Sequence, residues 1–471
     1  MEVLLTTVDY LIILAYFVVT LTIGLRTKSS EDSVKDYLIA GRTLTLPAFV
    51  ATLVSTFYGG ILGIGEFTFN YGISGWFLYA FPYYFFILIF AFFLADKIRK
   101  AHLYTIPDKL NLVYGKKVSV FGGILIFFLS TPAPYLFMMG ILMSLLFGVN
   151  LSIGMAISLV LSIAYLYKGG FRADVRVNIL EFIIMFVGFG IILPFCFNTL
   201  GGFDFLQSRL PAQDLSLTGG SSLQYILVWF FIGSWVFIDP AFHQRCYAAK
   251  NKKTPKKGIL ISLGFWIVFD FMTTTAGLYS KAYFLNELND PLYSFPALGN
   301  ILLPPIAKGL FFLGMIATIM STLHSYIFIS ATTFGRDIIA RIKNQTEENI
   351  LHNRLGMIVS AVFSLAIAYL IPSVINIWYT VGTIILPALL ISVISSYFEN
   401  LQIHSKYIFT AMVSSFSVSF ICFAIGLLYK IDGRPALFLG LEPMYPGLFT
   451  GLVIYFVGFK NRKYLKTAAD Q

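Results

Sequence analysis

Runs of about 20 apolar residues recur thirteen times along the chain, and about 20 residues is what a helix needs to cross roughly 30 Å of hydrocarbon. The runs lie near 6–25, 44–69, 74–96, 118–147, 150–167, 177–198, 223–246, 258–285, 303–334, 355–372, 375–398, 407–429 and 443–459. The connections are mostly shorter than about 20 residues, so no kinase, nucleotide-binding or DNA-binding module can be folded from what remains. The runs are longer than the strands of an outer-membrane barrel and lack strand alternation, so helices must satisfy the backbone. Charged residues make up 12% of the chain and apolar ones 58%, whereas a soluble domain carries about a quarter charged residues. An all-α polytopic membrane protein with about 13 transmembrane helices is expected.

The net charge of +10 would suggest nucleic acid in a soluble protein, so the placement of Lys and Arg decides what it means. If successive loops alternate sides, 28 of the 33 basic residues fall in one set and 5 in the other. The rich set spans Arg26 to Arg42, Lys97 to Lys117, Lys168 to Arg176, Arg245 to Lys257, Arg336 to Arg354, Lys406, and the tail from Lys460. The positive-inside rule makes these loops cytoplasmic, with the N-terminus outside and the C-terminus cytoplasmic. The expected partner of this charge is the lipid bilayer, not nucleic acid. No basic stretch precedes the first run and no small-residue cleavage site follows it, so it reads as a retained helix and not a signal peptide. Cys196, Cys246 and Cys422 are isolated and lack CxxC spacing, which makes them packing residues.

Helices in a membrane avoid freeing backbone groups, so breaks at mid-depth mark places where carbonyls or N–H groups meet an ion, a substrate or water. Two runs are candidates for such breaks. The second carries Gly59, Gly60, Gly63 and Gly65 after Ser55 and Thr56, and the seventh carries Gly233, Ser234, Asp239 and Pro240. Small residues also line close helix contacts, so each run alone fits packing equally well. Their spacing adds something. If runs two to six form one five-helix unit (44–198), runs seven to eleven (223–398) form another of opposite topology, because five is odd. Each interrupted helix then opens its unit, as in inverted-repeat secondary transporters with a site at the midplane.

In the ninth run Thr318, Ser321 and Thr322 stand at i, i+3 and i+4, so their hydroxyls share one helix face. Helix packing is one reading of such a face, since Ser and Thr bond back to the preceding turn. A cation site is the other, because neutral oxygens suit a hard monovalent ion.

Four stretches resemble the sodium:solute symporter family: AGRTLTLPAFVATLVST, KGGFRADVRVNILEF, IDPAFHQRCYAAKNKK and IATIMSTLHSYIFISATTFGRDI, in family order. The resemblance covers 1–471 as a single transporter domain, with an extra helix at 6–25 and two more at 407–459. It implies a leucine-transporter-like five-plus-five inverted repeat working by alternating access. It also implies a transported sodium ion, not a fixed cofactor, held by backbone oxygens of Val54, Phe57 and Thr318 and hydroxyls of Ser321 and Thr322. Family members commonly carry Asp where this chain has Asn178, and some carry paired serines where it has His324 and Ser325. A second sodium site therefore looks degraded, and one sodium per solute is expected.

The ionisable residues carry further expectations. His324 is either a neutral packing residue or a proton carrier. Asp239 is expected to pair with Arg245, with gating as its next role. Asp270 lies mid-span without a basic residue in its own helix. Glu66 and Glu181 are expected to be solvated or interfacial, and Lys281 and Lys308 to snorkel to the outer surface. The solute pocket is expected from Thr56, Tyr58, Gly59 and Gly60, from Thr131 to Tyr135, from Phe231, Ser234 and Trp235, and from Tyr379 and Thr380. Freed N–H groups at a helix break can bind a carboxylate, and aromatic and small residues dominate. An amino acid or monocarboxylate is favoured over a sugar.

A channel would need a continuous polar lining, and no run shows one. An enzyme is not expected, since no catalytic constellation clusters at one depth. The remaining alternatives are a proton-coupled transporter using His324 and a membrane sensor derived from the same fold; no obligate protein partner is evident. A multi-pass protein of a cell membrane, of the bacterial cytoplasmic type, fits the length and compact loops.

Overall fold

The computed structural model describes residues 3–28, 33–285, 287–345, 350–431, 434–435 and 437–469. Its long helices are α1 (Thr7–Arg26), α2 (Leu46–Phe57), α3 (Ile61–Tyr71), α4 (Ile73–Ala101), α5 (Lys116–Phe147), α6 (Leu151–Leu200), α7 (Leu223–Ile232) and α8 (Pro240–Ala248). They are followed by α9 (Thr254–Phe284), α10 (Ala307–Ala340), α11 (Ile350–Leu370), α12 (Val374–Ser396), α13 (Ser405–Leu428) and α14 (Met444–Ala469).

Among the described residues, ten helices are long and apolar enough to cross a membrane, or eleven with the bent pair α2–α3. The expected number was thirteen, and α6 accounts for part of the difference. Its 50 residues would extend about 75 Å, more than twice the hydrocarbon thickness, and it contains two of the expected runs. The backbone turns inside it at Gly170 (φ 51°, ψ −144°). A Cβ there would stand 2.6 Å from the Tyr37 carbonyl oxygen, so the turn admits only glycine. The run at 443–459 lies in α14, whose apolar stretch ends at Lys460 and Arg462 and which is not among the ten.

Both expected interruptions are present. Tyr58 to Gly60 separate α2 from α3, which are bent by 54°. In the seventh run α7 tightens into a 3₁₀ turn over Gly233–Phe237, and Asp239 caps a fresh helix, α8, with its carboxylate accepting the Ala241 N–H at 2.7 Å. Pro240 at the first position of α8 cannot continue a preceding helix but starts a new one.

α10 is the hub. Every residue from Phe311 to Thr333 is buried, and the helix packs on α6, α1, α5, α11 and α2. Helices α1, α6, α11 and α13 instead leave large apolar side chains exposed, among them Val18, Val187, Val362 and Ile421, as lipid-facing helices do. The three cysteines are buried and unpaired.

Candidate functional site

The last four carbonyls of any helix have no partner within it. In α2 these belong to Val54, Ser55, Thr56 and Phe57, and the break points them at α10 and α9. Ser321 donates from Oγ to the Ser55 carbonyl at 2.8 Å and shares the Thr318 carbonyl at 2.8 Å. Thr322 donates from Oγ1 to the Thr56 carbonyl at 2.7 Å. The Val54 carbonyl accepts from the Trp266 indole at 3.3 Å. The hydroxyls of α10 therefore meet the two carbonyls lying between those of Val54 and Phe57. Thr318 turns its own hydroxyl back to Gly314 at 2.6 Å, leaving its carbonyl to the shared face. The result is a buried, uncharged set of oxygens at the negative end of a helix, where the dipole favours a cation.

The glycine pair makes this approach possible. A Cβ on Gly59 would lie 2.0 Å from Thr322 Oγ1, and one on Gly60 would lie 2.1 Å from the Trp378 ring. Gly59 and Gly60 thus bring the break against α10 and α12.

One turn further along α10 lies a charged cluster. His324 is fully buried, with Nδ1 at 2.9 Å from Asp174 Oδ1 and Nε2 at 2.9 Å from Glu181 Oε2. A neutral imidazole has one N–H, so both contacts are hydrogen bonds only if the cluster holds one proton more than a neutral ring between two ionised carboxylates. Tyr16 donates to Glu181 at 2.7 Å, and Ser325 donates to Asp174 at 2.6 Å. Arg245, expected in a cytoplasmic loop and paired with Asp239, is fully buried. Its guanidinium reaches Thr56 at 2.7 Å, Thr52 and Ser325 at 3.2 Å, and Asp174 at 3.4 Å. The reason is the break before α8, which carries Arg245 inward where the charge count alone reads a loop. Asn178 bonds Asp174 at 3.1 Å and Ser325 at 3.2 Å. The positions expected to form a degraded second sodium site thus surround a guanidinium.

Glu181 is a second correction. It was expected at a solvated or interfacial depth, yet it is fully buried between α1 and α10. Asp174 was missed. The signal was available, since Asp174, Asn178 and Glu181 at i, i+4 and i+7 share one helix face.

A cavity open on one side lies beside the break. Of the expected solute residues, Tyr135 and Trp235 line it, joined by Asp239 and Trp378. Thr56 instead faces the charged cluster, and the Tyr58 hydroxyl bonds Asp270, which also accepts from Tyr84. Ser234 bonds the Phe231 carbonyl at 2.6 Å, and Tyr379 bonds Glu442. Lys281 pairs with Asp214 at 2.7 Å, and Lys308 reaches the Leu4 carbonyl at 3.2 Å.

These features define a class: a multi-pass membrane protein whose core helices break at a buried polar site. The chain belongs to the sodium:solute symporter family, whose pattern it matches over residues 37–400. It is 22% identical to the pig sodium/glucose cotransporter 1 over 76% of this chain and 62% of the relative. It therefore spans about three-fifths of the length of that relative. It is 24% identical to the high-affinity proline transporter of Bacillus subtilis, over 74% of this chain and 78% of the relative. With the sodium/pantothenate symporter of Escherichia coli it shares 24% identity over 95% of each chain. In structure it is similar to a Na⁺-coupled sialic acid symporter, with a TM-score of 0.78 at 15% identity over 98% of each chain. It also matches Mhp1, a nucleobase-cation-symport-1 family transporter, at a TM-score of 0.61 and 12% identity over 94% of this chain and 96% of that one. The fold is of the leucine-transporter-like kind.

Proposed function

We propose that the chain is a secondary active symporter that couples inward sodium flow to uptake of a small, partly apolar organic solute by alternating access. The observation that carries this reading is the set of orphan carbonyls ending α2, met by the hydroxyls of Ser321 and Thr322. On sodium binding, those hydroxyl oxygens turn their lone pairs to the ion, and the Thr318 carbonyl and the carbonyls of residues 54–57 complete the shell. Sodium thereby ties α10 to the broken helix, and its departure frees the break to move. The proposed topology has the N-terminus outside and the C-terminus cytoplasmic, with repeats at 44–198 and 223–398, in a bacterial cytoplasmic membrane. One sodium accompanies each solute, since Arg245 occupies the neighbourhood of the second position.

The test is thermal stability of purified protein against sodium, with potassium as control. Saturable, sodium-specific stabilisation is expected in the wild type, and its loss in Ser321→Ala/Thr322→Ala. A second reading, proton coupling, is favoured by the hydrogen count around His324. If sodium does nothing and acidification stabilises only while His324 is present, that reading replaces the first.

A further inference from the structure

We infer that the solute carries a positively charged ammonium group, held in the aromatic cavity beside the helix breaks with Asp239 as its counter-ion. The inference deepens the symport reading and rests on it.

The cavity is lined mostly by aromatic side chains. Its walls are aromatic rings, among them Tyr79, Tyr83, Tyr135, Trp235, Tyr326 and Trp378, and its one charged residue is Asp239. Among the described residues no Lys or Arg lines it. Aromatic faces carry negative potential and attract a cation held within about 6 Å of the ring. Those faces repel a carboxylate, and an anion would also meet the charge of Asp239. Gly59, Gly60 and Gly63 of the break, whose N–H groups might have bound a carboxylate, are not among the residues that line the cavity.

Asp239 itself needs a partner. It is 3% exposed at mid-chain in a membrane protein, where an ionised carboxylate is costly unless paired. Its oxygens accept the Ala241 N–H at 2.7 Å and the Tyr326 hydroxyl at 3.0 Å, and a carboxylate has about four acceptor positions. Among the described residues no Lys, Arg or His nitrogen lies within ion-pair distance of it. Arg245, whose field reaches it, is committed to Thr56, Ser325 and Asp174. The charges of the neighbouring cluster also close without it, since Arg245 and the one extra proton shared around His324 offset Asp174 and Glu181. A carboxylate left without a cation, in a box of rings and open to a cavity, is the arrangement that recognises an ammonium. Rings around a small cation favour primary amines or quaternary ammonium groups.

The experiment is thermal stability of the full chain in saturating sodium, titrated separately with tetramethylammonium, ethylammonium, acetate and glucose, with potassium chloride matching ionic strength. At least one ammonium probe should stabilise the wild type saturably, and acetate and glucose should not. In Asp239→Asn, which keeps an acceptor for the cap of α8, the half-maximal concentration should rise at least about tenfold while the sodium response persists. Trp235→Leu should weaken the same response, and it carries the test if Asp239→Asn does not fold. Stabilisation by acetate or glucose alone, no response to either ammonium probe, or an unchanged response in Asp239→Asn overturns the proposal. Each of those results, with the sodium response intact, leaves symport standing. A wild type that ignores sodium overturns the symport reading instead.

Discussion

The assignment of Arg245 to Asp174 and not to Asp239 can be tested by charge bookkeeping. The Asp174 and Arg245 side chains are 1% and 0% exposed, so no water can take over for a missing partner. Arg245→Met leaves Asp174 and Glu181 facing a single cation on His324, a net buried charge of about −1. Asp174→Asn leaves Arg245 and His324 facing Glu181 alone, a net of about +1. Breaking one partner of a buried pair costs about 3–5 kcal/mol, whereas replacing both by neutral groups is often close to neutral. The two single variants should therefore each lose about 3–5 kcal/mol, and the double variant should lose much less than their sum. A coupling energy of about 3 kcal/mol is expected, measured by unfolding titration in mixed detergent micelles. Asp239→Asn combined with Arg245→Met should couple far more weakly. The reasoning is refuted if the Asp174 and Arg245 losses add to within about 0.5 kcal/mol, the scatter of independent sites, or if the larger coupling is found with Asp239.

Two further outcomes follow from the same geometry. Gly59→Ala places a methyl 2.0 Å from Thr322 Oγ1 and should cost about 1–3 kcal/mol, the usual penalty of overpacking; it should also weaken the sodium-induced thermal shift, whereas Gly264→Ala, where a Cβ meets nothing within 4 Å, should leave that shift unchanged. Between α4 and α5, burial pushes the Asp108 carboxyl up, but Arg336 and Arg341 outweigh it and hold it below the ordinary value. A carboxyl depressed in the folded state adds stability that is complete above its unfolded pKa of about 3.9 and disappears as pH falls through the lower folded value. Asp108→Asn should therefore lower stability at neutral pH and flatten the acid limb of the stability profile below about pH 4.

Much of the site was legible in the sequence because it depends on local patterns. Gly59 and Gly60, and the Asp239–Pro240 pair, announce helix breaks through backbone chemistry alone, and the 3-4 spacing of Thr318, Ser321 and Thr322 fixes a common face in any helix. The carbonyl partners were legible only to within a residue, because which carbonyl meets which hydroxyl depends on the twist of one helix against another. What was hidden is tertiary. Periodicity cannot say whether a helix face meets lipid or protein, so Glu181 was placed near solvent although α1 and α10 enclose it. Charge counting places Arg245 in a loop although it stands at the end of the apolar run 223–246, and the break before α8 turns that segment inward to Asp174. The two runs at 150–167 and 177–198 stay separate segments inside α6, because the backbone leaves the helical conformation at Gly170 between them. The solute expectation changed for a similar reason: Thr56, Tyr58 and Ser234 lie near the breaks in sequence, but each, like Tyr379 in α12, spends its hydroxyl on a protein partner.

The central claim is that a sodium ion binds where α2 ends against α10. Equilibrium binding of radioactive sodium to the purified protein tests it most directly, in the wild type and in Ser321→Ala/Thr322→Ala, with unlabelled potassium as competitor. The account predicts saturable binding of one sodium per chain in the wild type, indifferent to potassium and absent from the double variant. Binding that survives unchanged in the double variant, or none in a folded wild type, would contradict it.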